Sequence, residues 1–216
     1  VKQEVFINED AINNHLADLQ YPIYFLDFEY VSVAVPLFDG NHPGERIAFQ
    51  HSLHRLDEDG TLHHWEYLHE ENSDPSESLA QDLVNRILPH GSIMVYSASV
   101  EKGVLQQLAA KFPHMAEALN GMVDRLWDLL PIFQNHYRHW EFGTGWSIKV
   151  VTDTLIPDFA YEDLEIREGG SASLAWINML ESDDADEREQ IAIGLKEYCK
   201  RDTKVMVELL AHLQLL

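Results

Sequence analysis

Residues 23–30 read Ile-Tyr-Phe-Leu-Asp-Phe-Glu-Tyr, and the position of Asp27 and Glu29 inside that run decides the fold. Side chains alternate along a strand, so Ile23, Phe25, Asp27 and Glu29 share one face, and Tyr24, Leu26, Phe28 and Tyr30 the other. Both faces are apolar, which predicts a central strand covered on both sides. Two carboxylates on one covered face lose hydration and repel each other, so they need partners. The nearest basic residue in sequence is Arg46. A bound hard dication with oxygen ligands is one answer. The other is that the strand end emerges into solvent and both acids are hydrated.

Two further acids stand on faces that read as buried. The last helix, expected over about 186–214, carries an apolar stripe of Ile191, Leu195, Tyr198, Val205 and Leu209 at steps of three and four. Asp202 falls on that stripe, four residues after Tyr198, so the hydroxyl and the carboxylate project together toward the core. An ordinary salt bridge or tyrosine–aspartate hydrogen bond is the alternative. Glu101 opens a helix expected over 99–112, whose stripe continues through Leu105, Leu108 and Phe112. An acid in a first helical turn also simply complements the helix dipole. Taken together, four carboxylates from distant segments are what two adjacent divalent ions require. Such ions also offset the acidity where an anionic substrate binds.

LDFEY, VYSASVEKGVL and YCKRD, in that order, resemble the three motifs of the DEDD (DnaQ-like) 3′–5′ exonucleases. The resemblance covers about residues 22–210. It implies an α/β, RNase H-like fold: a mixed central sheet of five strands flanked by helices. It also implies two divalent cations, Mg²⁺ or Mn²⁺, held by Asp27, Glu29, Glu101 and Asp202. Tyr198, four residues before Asp202, matches the tyrosine subclass; the histidine subclass would place its histidine at 197, which here is Glu197. Tyr198 then orients the attacking water or accepts its proton. Phe28, Ser97 and Lys149 are the candidate substrate contacts. The chain departs from the pattern twice: Glu101 stands where the family usually has Asp, and Ser97 where many relatives have Asn. LDFEY, VPLFDGNHPGERIAFQHSLH, GWSIKV and YCKRDT together are similar to a little-characterised bacterial family within this superfamily. Its domains are often joined to a second nuclease-like region.

The implied activity is 3′–5′ exonucleolytic hydrolysis of DNA or RNA, at a single-stranded 3′ end or on a short oligonucleotide. The alternatives are a catalytically inactive DEDD-like binding module, and a phosphoesterase acting on short oligonucleotides or dinucleotides.

The rest of the chain reads as alternating strands and helices. A short helix is expected near 9–19, a strand at 22–30, then a Gly/Pro/Asn loop. A hairpin follows, with strands at 46–56 and 61–68 about a turn at 57–60. A helix at 74–88 starts on Asp74-Pro75, and 92–96 is a short buried strand. Residues 125–130 are ambiguous, and 142–155 is a Gly-rich loop leading into a helix. Gly143, Gly145, Ser147 and Lys149 form a helix start that can bind phosphate, though it matches neither a P-loop nor a Rossmann fingerprint. Asp128 is the best rival ligand, ahead of Asp124 and Asp153, because its neighbours are apolar. His51 with His54, and His63 with His64, suggest zinc, but each pair points to opposite strand faces. Trp140, Trp146 and Tyr137 read as core residues or as a stacking platform for bases.

The chain has 216 residues, enough for one domain with a substantial core, and a single RNase H-like domain over 1–216 is expected. Its formal net charge of −22 repels polyanions at long range, so a nucleic-acid role needs metal ions or a local basic patch. No apolar run approaches the roughly 18 residues of a membrane span, and the opening residues give no expectation of a signal peptide. The single cysteine suits a reducing compartment, so a cytoplasmic location is expected. A start at Val1 fits a piece cut from a longer chain.

Overall fold

The computed structural model describes residues 3–216. Among these the order is β1 (Val5–Ile7), α1 (Glu9–Leu16), β2 (Ile23–Val31), β3 (Ile47–Leu56), β4 (Leu62–Leu68), α2 (Ser76–Arg86), β5 (Ile93–Val95), α3 (Ser99–Lys111) and α4 (Ala116–Val123). There follow β6 (Leu126–Asp128), α5 (Leu130–Asn135), β7 (Tyr137–His139), α6 (Ile148–Leu155), α7 (Gly169–Glu181) and α8 (Ala185–Leu213).

The main sheet has five strands in the order β4-β3-β2-β5-β6. β2 pairs antiparallel with β3 and parallel with β5, so the sheet is mixed and β2 is its middle strand. Alternation along β2 feeds two separate cores. Ile23, Phe25 and Val31 join one cluster with α7 and α8; Tyr24, Leu26 and Phe28 join the other with α2, α3 and α4. This is an α/β architecture with a mixed central sheet flanked by helices, compatible with an RNase H-like fold. β1 and β7 form a separate two-stranded ribbon.

The element boundaries follow local chemistry. Asp184 caps α8: its carboxylate accepts from the Asp186 and Glu187 amides. Asp74 closes the start of α2 by accepting from the Ser76 amide and hydroxyl. Gly91, at φ +87°, precedes β5; a Cβ there would sit 2.1 Å from the Pro22 carbonyl oxygen, so only glycine fits.

One mismatch in strand length makes the site. β5 is paired with β2 only at Tyr24–Ile93 and Phe25–Met94 and ends at Val95, while β2 runs on to Val31. Asp27 and Glu29 therefore lie where β2 has lost its parallel neighbour, at the carboxyl ends of the parallel strands, where open α/β sheets form crevices. No helix is long and apolar enough to cross a membrane among the described residues.

Candidate active site

The crevice is a pocket of about 240 Å³ lined by Asp27, Glu29, Glu101, Tyr198 and Asp202, with Tyr96 and Gly169 at its walls. Asp27 and Glu29 come from β2, Glu101 from the first turn of α3, and Tyr198 and Asp202 from α8. Glu29, Glu101 and Asp202 are buried, at 6%, 3% and 6% exposure. The four acids expected from the sequence thus face one space, although they are up to 175 residues apart (27 to 202).

Their protonation reflects that crowding. Burial, then the charges of Asp202, Glu29 and Glu101, push Asp27 well above the usual carboxylate range. Burial first and Asp202 second push Glu29 up to about 8, with Lys149 opposing. Burial also pushes Glu101 up to about 8, with Asp128 adding and Arg46 opposing. Asp202 rises less, to about 6, because Tyr161, Lys149 and Tyr198 offset its burial.

Tyr161 was not legible in the sequence. Its hydroxyl donates to Asp202 Oδ1 at 2.5 Å. It sits in an irregular segment between α6 and α7, anchored by Arg201 of α8, which pairs with Asp163 and donates to the Ala160 carbonyl. No periodicity marks such a segment, and its partner is 41 residues away.

The remaining candidates fall as follows. Lys149 lies over the rings of Tyr161 and Tyr198, 5.3 Å from each centroid, and donates to the Arg167 carbonyl. Its charge reaches Glu29 and Asp202. Ser97 holds a left-handed backbone, φ 70°, in the turn between β5 and α3. Phe28 borders the pocket, but its ring lies in the second core cluster, edge-on to His51.

Asp128 has another role than that of rival ligand. Its carboxylate accepts from the amides of Ser97, Ala98 and Leu130, at 2.9, 2.9 and 3.0 Å, and so locks the turn that delivers Glu101. Among the described residues the histidines form no metal set either. His51 bonds Asp82 of α2 and His54 bonds Thr203 of α8, on opposite sheet faces. His63 bonds Asp57, and His64 bonds Ser52.

Among the described residues one group has metal-binding geometry: ligand atoms of Asp27, Glu29 and Cys199 all lie within 4.8 Å of one another. Glu101 and Asp202 stand outside that tight group, Asp202 being held by Tyr161. Glu101 Oε2 is buried with no hydrogen-bond partner. An orphaned buried carboxylate oxygen, facing three other acids, suits a cation.

The chain is similar to two curated proteins of Mycoplasma. The chain is 25% identical over 212 residues to "Uncharacterized protein MG366" of Mycoplasma genitalium, covering 89% of this chain and 32% of the relative. It is 27% identical over 218 residues to the "Uncharacterized protein MG366 homolog" of Mycoplasma pneumoniae, covering 86% of this chain and 31% of the relative. The chain therefore spans about a third of the length of these relatives. No solved structure matches. The family described as "Domain of unknown function (DUF2779)" matches residues 24–147, more than half of the chain and the part that contributes Asp27, Glu29 and Glu101, and the chain belongs to that family.

Proposed function

We propose that this domain is a metal-dependent 3′–5′ exonuclease, hydrolysing phosphodiester bonds of DNA or RNA with two divalent cations, Mg²⁺ or Mn²⁺. The observation that carries the reading is the convergence of Asp27, Glu29, Glu101 and Asp202 from three distant elements on one pocket. Acids pushed upward by burial and by one another, beside an orphaned oxygen, are arranged at a cost that bound cations relieve. Asp27, Glu29, Glu101 and Asp202 would hold the ions, which would supply Lewis-acid stabilisation of the charge on a phosphoryl group in displacement.

The protein's own groups take separate parts. Asp27, Glu29, Glu101 and Asp202 are the ligand set. Burial and the Asp202 charge push the Tyr198 hydroxyl above its ordinary range, so it keeps its proton at neutral pH. Tyr198 is therefore a donor that orients the attacking water, rather than a base. Lys149, over the Tyr198 ring and with its charge felt by Glu29 and Asp202, supplies positive charge for a phosphate. The pocket volume of about 240 Å³ lies below the roughly 300–1,000 Å³ of most ligand pockets. Such a space suits the end of a strand rather than the middle of a duplex. The reading includes a cytoplasmic location, and a second nuclease-like region in the remainder of a longer protein.

The test is a nuclease assay on single-stranded DNA and RNA labelled at either end, with Mn²⁺, Mg²⁺ or EDTA. The expected products are nucleoside 5′-monophosphates released from the 3′ end, abolished by EDTA and by Asp27→Asn. Stoichiometric Mn²⁺ binding with no cleavage of any substrate makes the domain a binding module. Cleavage of dinucleotides alone makes it a small-substrate phosphoesterase.

A further inference from the structure

Arg46 has no part in the mechanism above, yet the register of the sheet brings it to the rim of the acid pocket. Ala48 of β3 is the cross-strand partner of Tyr30 in β2. Arg46 stands two residues before Ala48, so it shares that face and is the diagonal neighbour of Tyr30. Its guanidinium lies over the Tyr30 ring, with Cζ 5.5 Å from the centroid. Tyr30 in turn lines the pocket that holds Asp27, Glu29, Glu101 and Asp202. On its other flank the guanidinium rests against α3. A Cβ at Gly103 would stand 3.2 Å from Arg46 Nη1, so this glycine, two residues after Glu101, leaves the space that the guanidinium fills. The Arg46 carbonyl oxygen accepts from the Gln107 side chain of α3 at 2.8 Å, which ties down the backbone as well.

This guanidinium is held but not neutralised. Arg46 is exposed, and among the described residues its side chain makes no hydrogen bond and no close ion pair. The adjacent acid is engaged elsewhere: Glu45 accepts from the His42 amide at 2.7 Å and from Gln107 at 2.9 Å. With 37 acids against 15 Lys and Arg in the chain, carboxylates that could pair it are not scarce. Contact with a ring face spends none of the N–H donors, and that planar fork matches the oxygens of a phosphate. Arg46 also supplies charge on a side that Lys149 does not reach. Lys149 lies over Tyr198, in the core cluster on one face of the sheet, whereas Tyr30 packs against the cluster on the other. The two cations flank the four acids from opposite faces, where they offset the repulsion of an anionic strand.

We infer that Arg46 grips the backbone phosphate next to the scissile one, so that the site selects an oligonucleotide over a dinucleotide, which has no second phosphate to offer. The inference rests on reading the pocket as a nuclease site.

The experiment measures binding of a short single-stranded DNA, labelled with fluorescein at its 5′ end, to the full chain in Mn²⁺ by fluorescence anisotropy. The last linkage of the DNA is a neutral methylphosphonate, which resists cleavage. Arg46→Ala is expected to raise Kd roughly tenfold, and Arg46→Lys to recover part of the loss, because it keeps the charge without the fork. A second methylphosphonate at the penultimate linkage is expected to weaken the unaltered protein by a similar factor and Arg46→Ala hardly further. Mn²⁺ affinity and melting temperature are expected to stay as they were. Three results overturn the inference: Arg46→Ala binding as tightly as the unaltered protein, an equal loss from the second methylphosphonate in both proteins, or a loss of DNA binding that only follows a loss of Mn²⁺ affinity. Release of nucleotides from the 3′ end of an all-phosphodiester strand leaves the nuclease reading standing in each case. A protein that neither binds nor cleaves the DNA overturns both.

Discussion

Two tyrosines approach Asp202 from different elements, and their hydroxyls have different consequences. Tyr161 donates to the carboxylate directly and is the largest influence holding Asp202 down against its burial. Tyr161→Phe removes that bond, so Asp202 rises further and the metal competes with a more tightly bound proton. The expected result is severalfold weaker Mn²⁺ binding at pH 7 that recovers near pH 8.5, read by titration at both values. Tyr198→Phe leaves the ring packed on α8. Fold and metal response are expected to persist, with kcat down toward the low end of the roughly 10²–10⁴-fold range for acid–base groups. An unchanged rate reduces Tyr198 to a core residue. Tyr198 was legible because its partner lies one helical turn away. Tyr161 was not, because its partner is reached only through the folded packing of an irregular segment.

β2 and α8 were legible for the same reason: each is long and its apolar pattern leaves one reading. β2 is apolar on both faces, and helices indeed cover it on both. α8 begins one residue before the expected start, at its Asp184 cap. What stayed hidden is short or weakly patterned. β1, β6 and β7 have three residues each and exist only through pairing with remote strands. α7 opens on Gly169-Gly170 with no side-chain cap, and α4 and α5 have eight and six residues, too few turns for a clear period. The turn from β5 to α3 depends on such a hidden element, since Asp128 of β6 holds it. Asp128→Ala leaves three amides without their carboxylate and is expected to cost about 2 kcal/mol or more, measured by denaturant unfolding. Ser97→Gly relieves a left-handed backbone and is expected to be neutral or stabilising by up to about 1 kcal/mol. A strongly destabilised Ser97→Gly would mean that the Ser97 side chain, rather than the turn, matters to folding.

For the whole molecule the acid pocket couples stability to pH and to metal. Glu29 and Glu101 at about 8, and Asp202 at about 6, lie above the roughly 4 expected of unfolded carboxylates. The folded state therefore binds more protons than the unfolded chain in that window, so metal-free stability falls as pH climbs from about 4 to about 8. The net charge of −22 adds self-repulsion over the same range. Asp27→Asn separates the two, because it removes one charge from the pocket and hardly alters the total. Mg²⁺ or Mn²⁺ is expected to raise the melting temperature more at pH 8 than at pH 5 through linkage, and Asp27→Asn to remove much of that rise. A melting temperature indifferent to metal at both values counts against the cluster. The most direct measurement is a crystal structure of the full chain soaked in Mn²⁺, read by anomalous scattering. The account predicts two manganese peaks about 3.5–4 Å apart among Asp27, Glu29, Glu101 and Asp202. A pocket without manganese, in a crystal saturated with the ion and with all four carboxylates ordered, contradicts it.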